Sequence, residues 1–114
     1  MTWTVLLHPE FRDEVVAFPA EAYEELLATT RLLARFGPNL KRPHCDTLKG
    51  SKHANMKELR FLASGGVWRI AFAFDPDRQA VLLVGGNKAG GSEQKFYKAL
   101  IRVADQRFDS WLED

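Results

Sequence analysis

The sequence predicts an α+β fold: a short strand and two helices, then a three-stranded antiparallel meander and a final helix. Two observations carry this prediction. Apolar residues recur at helical spacing in two long segments, and three apolar segments of strand length follow one another with only short turns between them. The length of 114 residues fits one domain, and a hydrophobic fraction of 46% is enough for a core. We therefore expect residues 1–114 to form a single domain with its helices on one face of a small sheet.

Composition excludes several other classes of protein. The charges nearly cancel, with 16 Lys and Arg against 15 Asp and Glu, so the composition is not that of a disordered chain. Cys45 is the single cysteine, which excludes an intrachain disulfide and a cysteine zinc cluster and favours the cytoplasm. No apolar run approaches the roughly 20 residues of a membrane helix. The N-terminus also lacks a signal-peptide pattern, so no membrane association is expected.

The first third of the chain predicts a strand followed by two helices. Residues 3–7 alternate in polarity as a strand does, and the His-Pro pair after them ends it because a residue before proline avoids helical geometry. Residues 10–17 predict a short acidic helix. A second helix is predicted from about Ala20 to Phe36, where a Gly-Pro pair stops it. Its predicted apolar face consists of Tyr23, Leu26, Leu27, Thr30, Leu33 and Ala34.

The rest of the chain predicts a loop, a sheet and a last helix. Residues 38–55 show no regular spacing of apolar residues, so they are predicted as a long loop. This loop carries much of the basic charge. We expect strands at 56–62, 67–75 and 80–86, and their short connections predict an antiparallel meander. Ser92 can cap a final helix that reaches about Leu112. The apolar stripe of this helix is Phe96, Leu100, Val103, Ala104, Phe108 and Trp111.

Strand alternation separates a core face of the sheet from a charged face. The large residues of the second meander strand share one face, so Arg69 lies on the other. By the same rule Glu58 and Arg60 point to the face of Arg69, whereas Lys57 falls with the core residue Leu59. We expect the charged face to be open. It forms either a surface ion pair of Glu58 with one arginine, contributing roughly 0–1 kcal/mol, or an anion site in which guanidinium groups hold a phosphate. The large core-face residues are Trp68, Ile70, Phe72 and Phe74.

Several short motifs together carry a family resemblance. They are MKELRF at 56–61, GVWRIAF at 66–72 and VGGNK at 84–88, preceded by LKG at 48–50. In this order, followed by a C-terminal helix, they resemble the RelE/ParE toxin superfamily, and in particular its HigB-like branch, the phage Gp49-like toxins of type II toxin–antitoxin systems. The resemblance implies a RelE-like fold and an endoribonuclease that cuts mRNA on the ribosome by attack of a ribose 2′-hydroxyl. It also implies a helix-turn-helix, HigA-like antitoxin as partner, and neither metal nor other cofactor.

The resemblance also assigns roles to residues of the sheet. Arg69 matches an arginine that clamps phosphate, and Arg60 matches the arginine of the Glu-Leu-Arg motif. Lys57 and Glu58 stand where relatives carry lysines or a lysine–glutamate pair, so either is a candidate acid or base. Lys88 matches a basic residue after the last strand and is expected to contact the RNA backbone or stabilise the transition state.

Four further residues are weaker candidates. Tyr97 resembles a catalytic tyrosine of some relatives, although its position beside apolar helix residues also suits a packing role. Lys49, Lys52 and His53 are expected to bind substrate from the basic loop. Histidine is a common general acid or base in enzymes, so His53 is also a candidate for that role. Two other functions stay open: inhibition of DNA gyrase, as in ParE-like relatives, and a catalytically degenerate module that only binds an antitoxin.

Overall fold

The computed structural model describes residues 2–88 and 90–113. A five-stranded sheet in the order β1-β5-β4-β3-β2 runs through the molecule. Its strands are β1 (Thr4–Leu7), β2 (Cys45–Thr47), β3 (Met56–Ala63), β4 (Gly66–Phe74) and β5 (Gln79–Asn87). The helices are α1 (Pro9–Val15), α2 (Ala20–Phe36) and α3 (Glu93–Glu113). Strands β3, β4 and β5 form the predicted antiparallel meander, β1 lies parallel to β5, and β2 lies antiparallel to β3.

Most helices and strands lie where the sequence predicts them, because their local sequence signals are strong. α2 has the predicted bounds, and Gly37 after it has a φ of 53°, a left-handed value that suits glycine. The β3–β4 turn uses positive φ at Ser64 (52°) and Gly65 (75°), as a two-residue hairpin requires. The predicted apolar face of α2 is partly wrong, because Tyr23 and Leu27 are 42% and 37% exposed. The residues of α2 that are buried are Ala22, Leu26, Thr29 and Leu33.

The loop predicted at 38–55 is more ordered than expected. It begins in a 3-10 turn at Gly37–Asn39 and contains β2, whose three residues pair with β3. Three residues are too few to show an alternation of polarity, so the sequence could not reveal this strand.

The expectation that the helices share one face of the sheet is wrong. α1 and α2 cover the face of Ile70 and Phe72, as predicted, but α3 covers the opposite face, where Ala71 and Ala73 are fully buried. The alanines do not leave this face open. They let a helix approach the sheet closely, and Leu100, Ala104 and Phe108 of α3 pack there.

A β-bulge in β5 supplies buried residues to the cores on both faces of the sheet. Opposite β4, Ala71 pairs with Val84 and Phe72 with Leu82, so Leu83 is an extra residue. Leu82 belongs to the core under α1 and α2, and Leu83 to the core under α3. Arg107 of α3 donates to the Leu83 carbonyl at 2.7 Å, so the polar group exposed by the bulge has a partner.

No described helix is long and apolar enough to cross a membrane.

Candidate active site

Charged residues of the sheet meet the N-terminal half of α3 in one cluster. Arg60 of β3 and Arg69 of β4 are direct cross-strand partners, and Glu58 lies two residues from Arg60 on the same face. Tyr97 of α3 reaches the same point from above the sheet. We call Glu58, Arg60, Arg69 and Tyr97 the arginine cluster. The predicted common face of the three sheet residues is confirmed, but α3 partly covers it, so the face is not open.

Glu58 is the fixed centre of the arginine cluster. It is only 3% exposed. Its Oε1 accepts a hydrogen bond from the Tyr97 hydroxyl at 2.8 Å, and its Oε2 accepts one from Nη2 of Arg60 at 3.0 Å. The ion pair of Glu58 with an arginine is therefore present, but the carboxylate is buried and not at the surface. A buried carboxylate with two charge-assisted bonds holds both donors in place.

These bonds set the protonation of the neighbours. The bond to Glu58 raises the pKa of Arg60, which stays a cation. Burial, and then the hydrogen bond to Glu58, raises the pKa of Tyr97, because both favour the neutral phenol. Tyr97 is therefore a protonated donor at neutral pH.

Arg69 lies in a less polar environment than Arg60. Its side chain is 13% exposed, with its guanidinium carbon 5.8 Å from the ring centre of Phe96 and 5.5 Å from that of Tyr97. Its ionic contact is long, with 3.7 Å between Nη2 and Oε1 of Glu93, and its bond to the Val67 carbonyl is 3.5 Å. Aromatic rings stabilise the cation without using up its donors. Arg69 therefore keeps hydrogen-bonding capacity for an anion.

Two nitrogen atoms of the cluster lack acceptors. In the part of the chain that the structure describes, Nε of Arg60 and Nε of Arg69 are buried and have no hydrogen-bond partner. A buried donor without an acceptor costs about 1–3 kcal/mol, and two adjacent guanidinium groups repel each other. A phosphate or other anion beside the pair would reduce both costs.

The remaining candidates of the meander lie in different places. Lys88 directly follows β5, two residues after Gly86, which is the partner of Arg69. It is half-buried, and within residues 2–88 and 90–113 it forms no ion pair. Lys57 pairs with Thr47 and lines a groove with Asp46 and Leu40. Alternation directs Lys57 to the opposite face of β3 from Glu58, so the structure does not bring it into the cluster.

The basic loop contacts the other end of α3. Nε2 of His53 lies 2.8 Å from Oδ1 of Asp109, and Lys52 forms an ion pair with the same carboxylate. Lys52, and then His53, lowers the pKa of Asp109. Asp109 is twelve residues beyond Tyr97, about 18 Å along a helix. Lys52 and His53 are therefore away from the arginine cluster, and Lys49 is an exposed residue of the same loop.

Sequence reasoning missed two residues around Arg69. Phe96 appears in the predicted apolar stripe of the last helix, but its role beside a cation was not foreseen. Glu93, the first residue of α3, had no signal that linked it to a strand 24 positions earlier. Within the described residues, His, Cys, Asp and Glu side chains form no group of three that could hold a metal ion.

Comparisons with known proteins agree on one group. The family model of the phage-derived Gp49-like proteins matches residues 13–109. The candidate toxin HigB3 of Mycobacterium tuberculosis is 43% identical over 108 residues, which cover 95% of this chain and 92% of that protein. The candidate toxin HigB2 of the same organism is 48% identical over 89 residues, 77% of this chain but 44% of that protein.

The fold has a relative among solved structures. A double arginine-to-alanine mutant of the Escherichia coli toxin RelE, in the free state, superposes with a TM-score of 0.63 over 90% of this chain and 96% of that one. The identity is 11%, so this likeness concerns the fold.

Proposed function

Because the chain belongs to the family of phage-derived Gp49-like proteins and is a HigB-type toxin of a toxin–antitoxin system, we propose that it stops translation by cutting mRNA on the ribosome. The single observation that carries the proposal is the pair of cross-strand arginines, Arg60 and Arg69, beside a tyrosine–carboxylate pair. Their buried Nε atoms have no partner among the residues that the structure describes. That set combines phosphate binding with a group that can transfer a proton.

The proposed reaction is an attack within the RNA strand. The 2′-hydroxyl oxygen attacks the adjacent phosphorus, and its proton passes to a base. The bond from phosphorus to the 5′-oxygen breaks, and that oxygen takes a proton from an acid. The products are a 2′,3′-cyclic phosphate and a 5′-hydroxyl end. Fixed cations stabilise the extra negative charge on phosphorus in the transition state.

Each member of the arginine cluster has a role in this proposal. Arg69 and Arg60 bind the non-bridging phosphate oxygens, since guanidinium groups match phosphate geometry. Tyr97 and Glu58 form the proton-transfer pair: the Tyr97 oxygen takes the 2′-hydroxyl proton as its own proton passes over 2.8 Å to Glu58. The reverse transfer, from Glu58 to Tyr97 and from Tyr97 to the leaving 5′-oxygen, protonates that oxygen and restores the pair. Lys88 contacts the RNA backbone from the end of β5.

The partner and the compartment follow from the toxin class. We propose that a helix-turn-helix, HigA-like antitoxin neutralises the protein, and that both act in the cytoplasm, where ribosomes are translating. Co-expression with the antitoxin candidate encoded next to the toxin gene should restore growth. Purification of the toxin without that protein from the same cells would contradict the pairing.

Controlled expression in a bacterial host tests the proposed activity. Primer extension on an abundant transcript should show new 5′ ends inside translated codons for the wild type and none for Arg69→Ala. Arg31→Ala is the matched control, because Arg31 is an exposed arginine of α2 on the other side of the sheet. Growth arrest with intact mRNA and a DNA-damage response would favour gyrase inhibition. Neither arrest nor cleavage would leave an antitoxin-binding module.

A further inference from the structure

We propose that the groove between α2 and the β3–β4 hairpin binds an extended, basic segment of the antitoxin, which adds one strand to the edge of β3. We call this groove the hairpin groove. The inference rests on the proposed function, because it states where and how the proposed protein partner binds. It depends on no step of the proposed reaction.

The hairpin groove is a largely apolar cavity of about 550 Å³ at the protein surface. Leu62 stands on its wall and is 73% exposed. Single exposed leucines are ordinary, but an exposed leucine on the wall of an apolar groove is typical of a binding surface. The apolar residues that line the groove are Ala28, Leu32, Pro43, Phe61, Leu62 and Val67.

The edge of β3 beside the groove offers backbone groups to a partner. The backbone amide of Arg60 donates to the His44 carbonyl at 2.9 Å, so Arg60 directs its backbone polar groups to the side of β2. Leu62, two residues further along the strand, directs its own to the same side. β2 pairs with residues 57–59, and no other described strand reaches Leu62 at this edge. Such an edge is a template for one more strand.

Carboxylates on α2 favour a basic segment. Glu25 lines the hairpin groove, is exposed, and forms no ion pair within residues 2–88 and 90–113. Glu21, one turn earlier on α2, lines a neighbouring cavity of about 310 Å³ that shares Leu62 and Val67. Two negative charges on this side disfavour the phosphates of RNA and favour a Lys or Arg of a protein.

Strand geometry defines the chemistry of the bound segment. Side chains alternate along a strand, so every second residue of the added strand faces α2. One of these residues is apolar and packs against Leu32 and Phe61. The next residue on the same face is a Lys or Arg that pairs with Glu25. The backbone of the segment bonds to that of Leu62, which fixes its register.

Occupation of the groove also affects the arginine cluster. Arg60 lines the hairpin groove, and its side chain is 40% exposed. Arg60 and Arg69 are cross-strand partners, and Leu62 and Val67 are the next such pair on the same face. A segment in the groove therefore covers the exposed side of Arg60 and should hinder a phosphate from reaching the cluster.

The test uses the full toxin and the antitoxin candidate encoded next to its gene. Isothermal titration calorimetry measures the Kd for the wild type, Leu62→Thr and Glu25→Lys. Glu24→Lys is the matched control for charge, because Glu24 is exposed on α2 but does not line the groove. Val16→Thr is the control for Leu62, because Val16 is 82% exposed and lies elsewhere. Urea unfolding checks that each variant keeps the fold.

We expect both groove variants to raise the Kd about tenfold or more, since each removes a contact at the centre of the interface, and both controls to stay within about twofold of the wild type. The effect of Glu25→Lys should shrink at high salt, which screens exposed charges. Hydrogen exchange followed by NMR gives a second readout. The Leu62 amide should exchange more slowly in the complex, whereas the Arg60 amide is already bonded to His44 without the antitoxin.

Several results would overturn the inference. Unchanged Kd values for both groove variants would exclude the groove as the binding site, and a Leu62 amide that stays unprotected in the complex would exclude the added strand. A wild type that does not bind the antitoxin candidate would exclude this occupant. Protection of the Leu62 amide by a 2′-O-methylated RNA, or in a homodimer of the toxin, would assign the groove to RNA or to a second copy.

Failure of the proposed function gives a different result. If the antitoxin binds with the expected Kd changes but the wild type cuts no mRNA in cells, the cleavage mechanism is wrong and the groove stands. If the wild type cuts mRNA and the groove variants bind the antitoxin as tightly as the wild type, the groove is wrong and the mechanism stands.

Discussion

Both ends of α3 meet basic residues from the sheet side, but they do so in opposite ways. At the C-terminal end, Lys52 and His53 are paired with Asp109, so their polar groups have partners within the chain. At the N-terminal end, Arg60 pairs with the buried carboxylate of Glu58, whereas Arg69 has a long contact with Glu93 and lies beside two aromatic rings. Among the described residues, the Nε atoms of both arginines have no acceptor. Basic residue types alone therefore do not mark a functional site. The donors without partners are what distinguish the N-terminal end as the candidate site.

The largest expected effect is a difference in cleavage rate between variants at the two ends of α3. Arg69→Ala should reduce the rate of mRNA cleavage about 10²–10³-fold, the typical loss when one fixed group that stabilises transition-state charge is removed. His53→Ala should leave the rate close to wild type, because His53 contacts Asp109 and Phe108 and not the cluster. Single-turnover cleavage on programmed ribosomes measures both. Equal losses for the two variants would remove the distinction between the ends.

A smaller effect is expected for Tyr97→Phe. This change keeps the aromatic ring beside Arg69 and deletes the hydroxyl that donates to Glu58. If Tyr97 and Glu58 transfer the proton, cleavage should fall about 10²-fold, the lower end of what general acid–base groups contribute. Urea unfolding provides the control, since the loss of one hydrogen bond to a carboxylate costs about 1.5–3 kcal/mol and leaves the fold intact. A folded Tyr97→Phe protein with full activity would assign Tyr97 to packing.

The smallest effect concerns Asp109→Asn and appears in stability, not in cleavage. Lys52 and His53 hold the pKa of Asp109 below its usual range. A lowered carboxyl pKa stabilises the folded state above the unfolded pKa of about 3.9, and this contribution is lost as the pH falls through the folded pKa. The wild type should therefore have a higher urea midpoint than the variant at neutral pH, and the difference should shrink in acid. A difference that grows in acid would contradict this account.

The elements with strong local signals could be predicted from the sequence. A proline before α2 and a Gly-Pro pair after it fixed both of its ends, and alternation identified the three meander strands. The same alternation placed Glu58, Arg60 and Arg69 on one face. Neither the helical spacing of apolar residues nor their alternation along a strand indicates which face of a sheet a helix will cover. Small residues such as Ala71 indicate an open face and a closely packed helix equally well.

Long-range contacts explain what could not be predicted about the site. Tyr97 meets Glu58 over 39 positions of sequence, and His53 meets Asp109 over 56. Nothing in the sequence around Tyr97 or around His53 indicates that Tyr97 lies in the arginine cluster and that His53 does not. The family resemblance named Arg60 and Arg69, but the unpartnered Nε atoms are a property of the folded chain.

The position of α3 on its own face of the sheet has a consequence for biosynthesis. Glu58, Arg60 and Arg69 belong to strands that are translated before α3, while Tyr97 and Phe96 belong to α3 itself. A nascent chain can therefore complete the layer of α1 and α2 against the sheet while the cluster still lacks its aromatic side. Domains form from the N-terminal side during synthesis. The last helix therefore completes the arginine cluster, and a partially translated chain lacks the aromatic side of the proposed site.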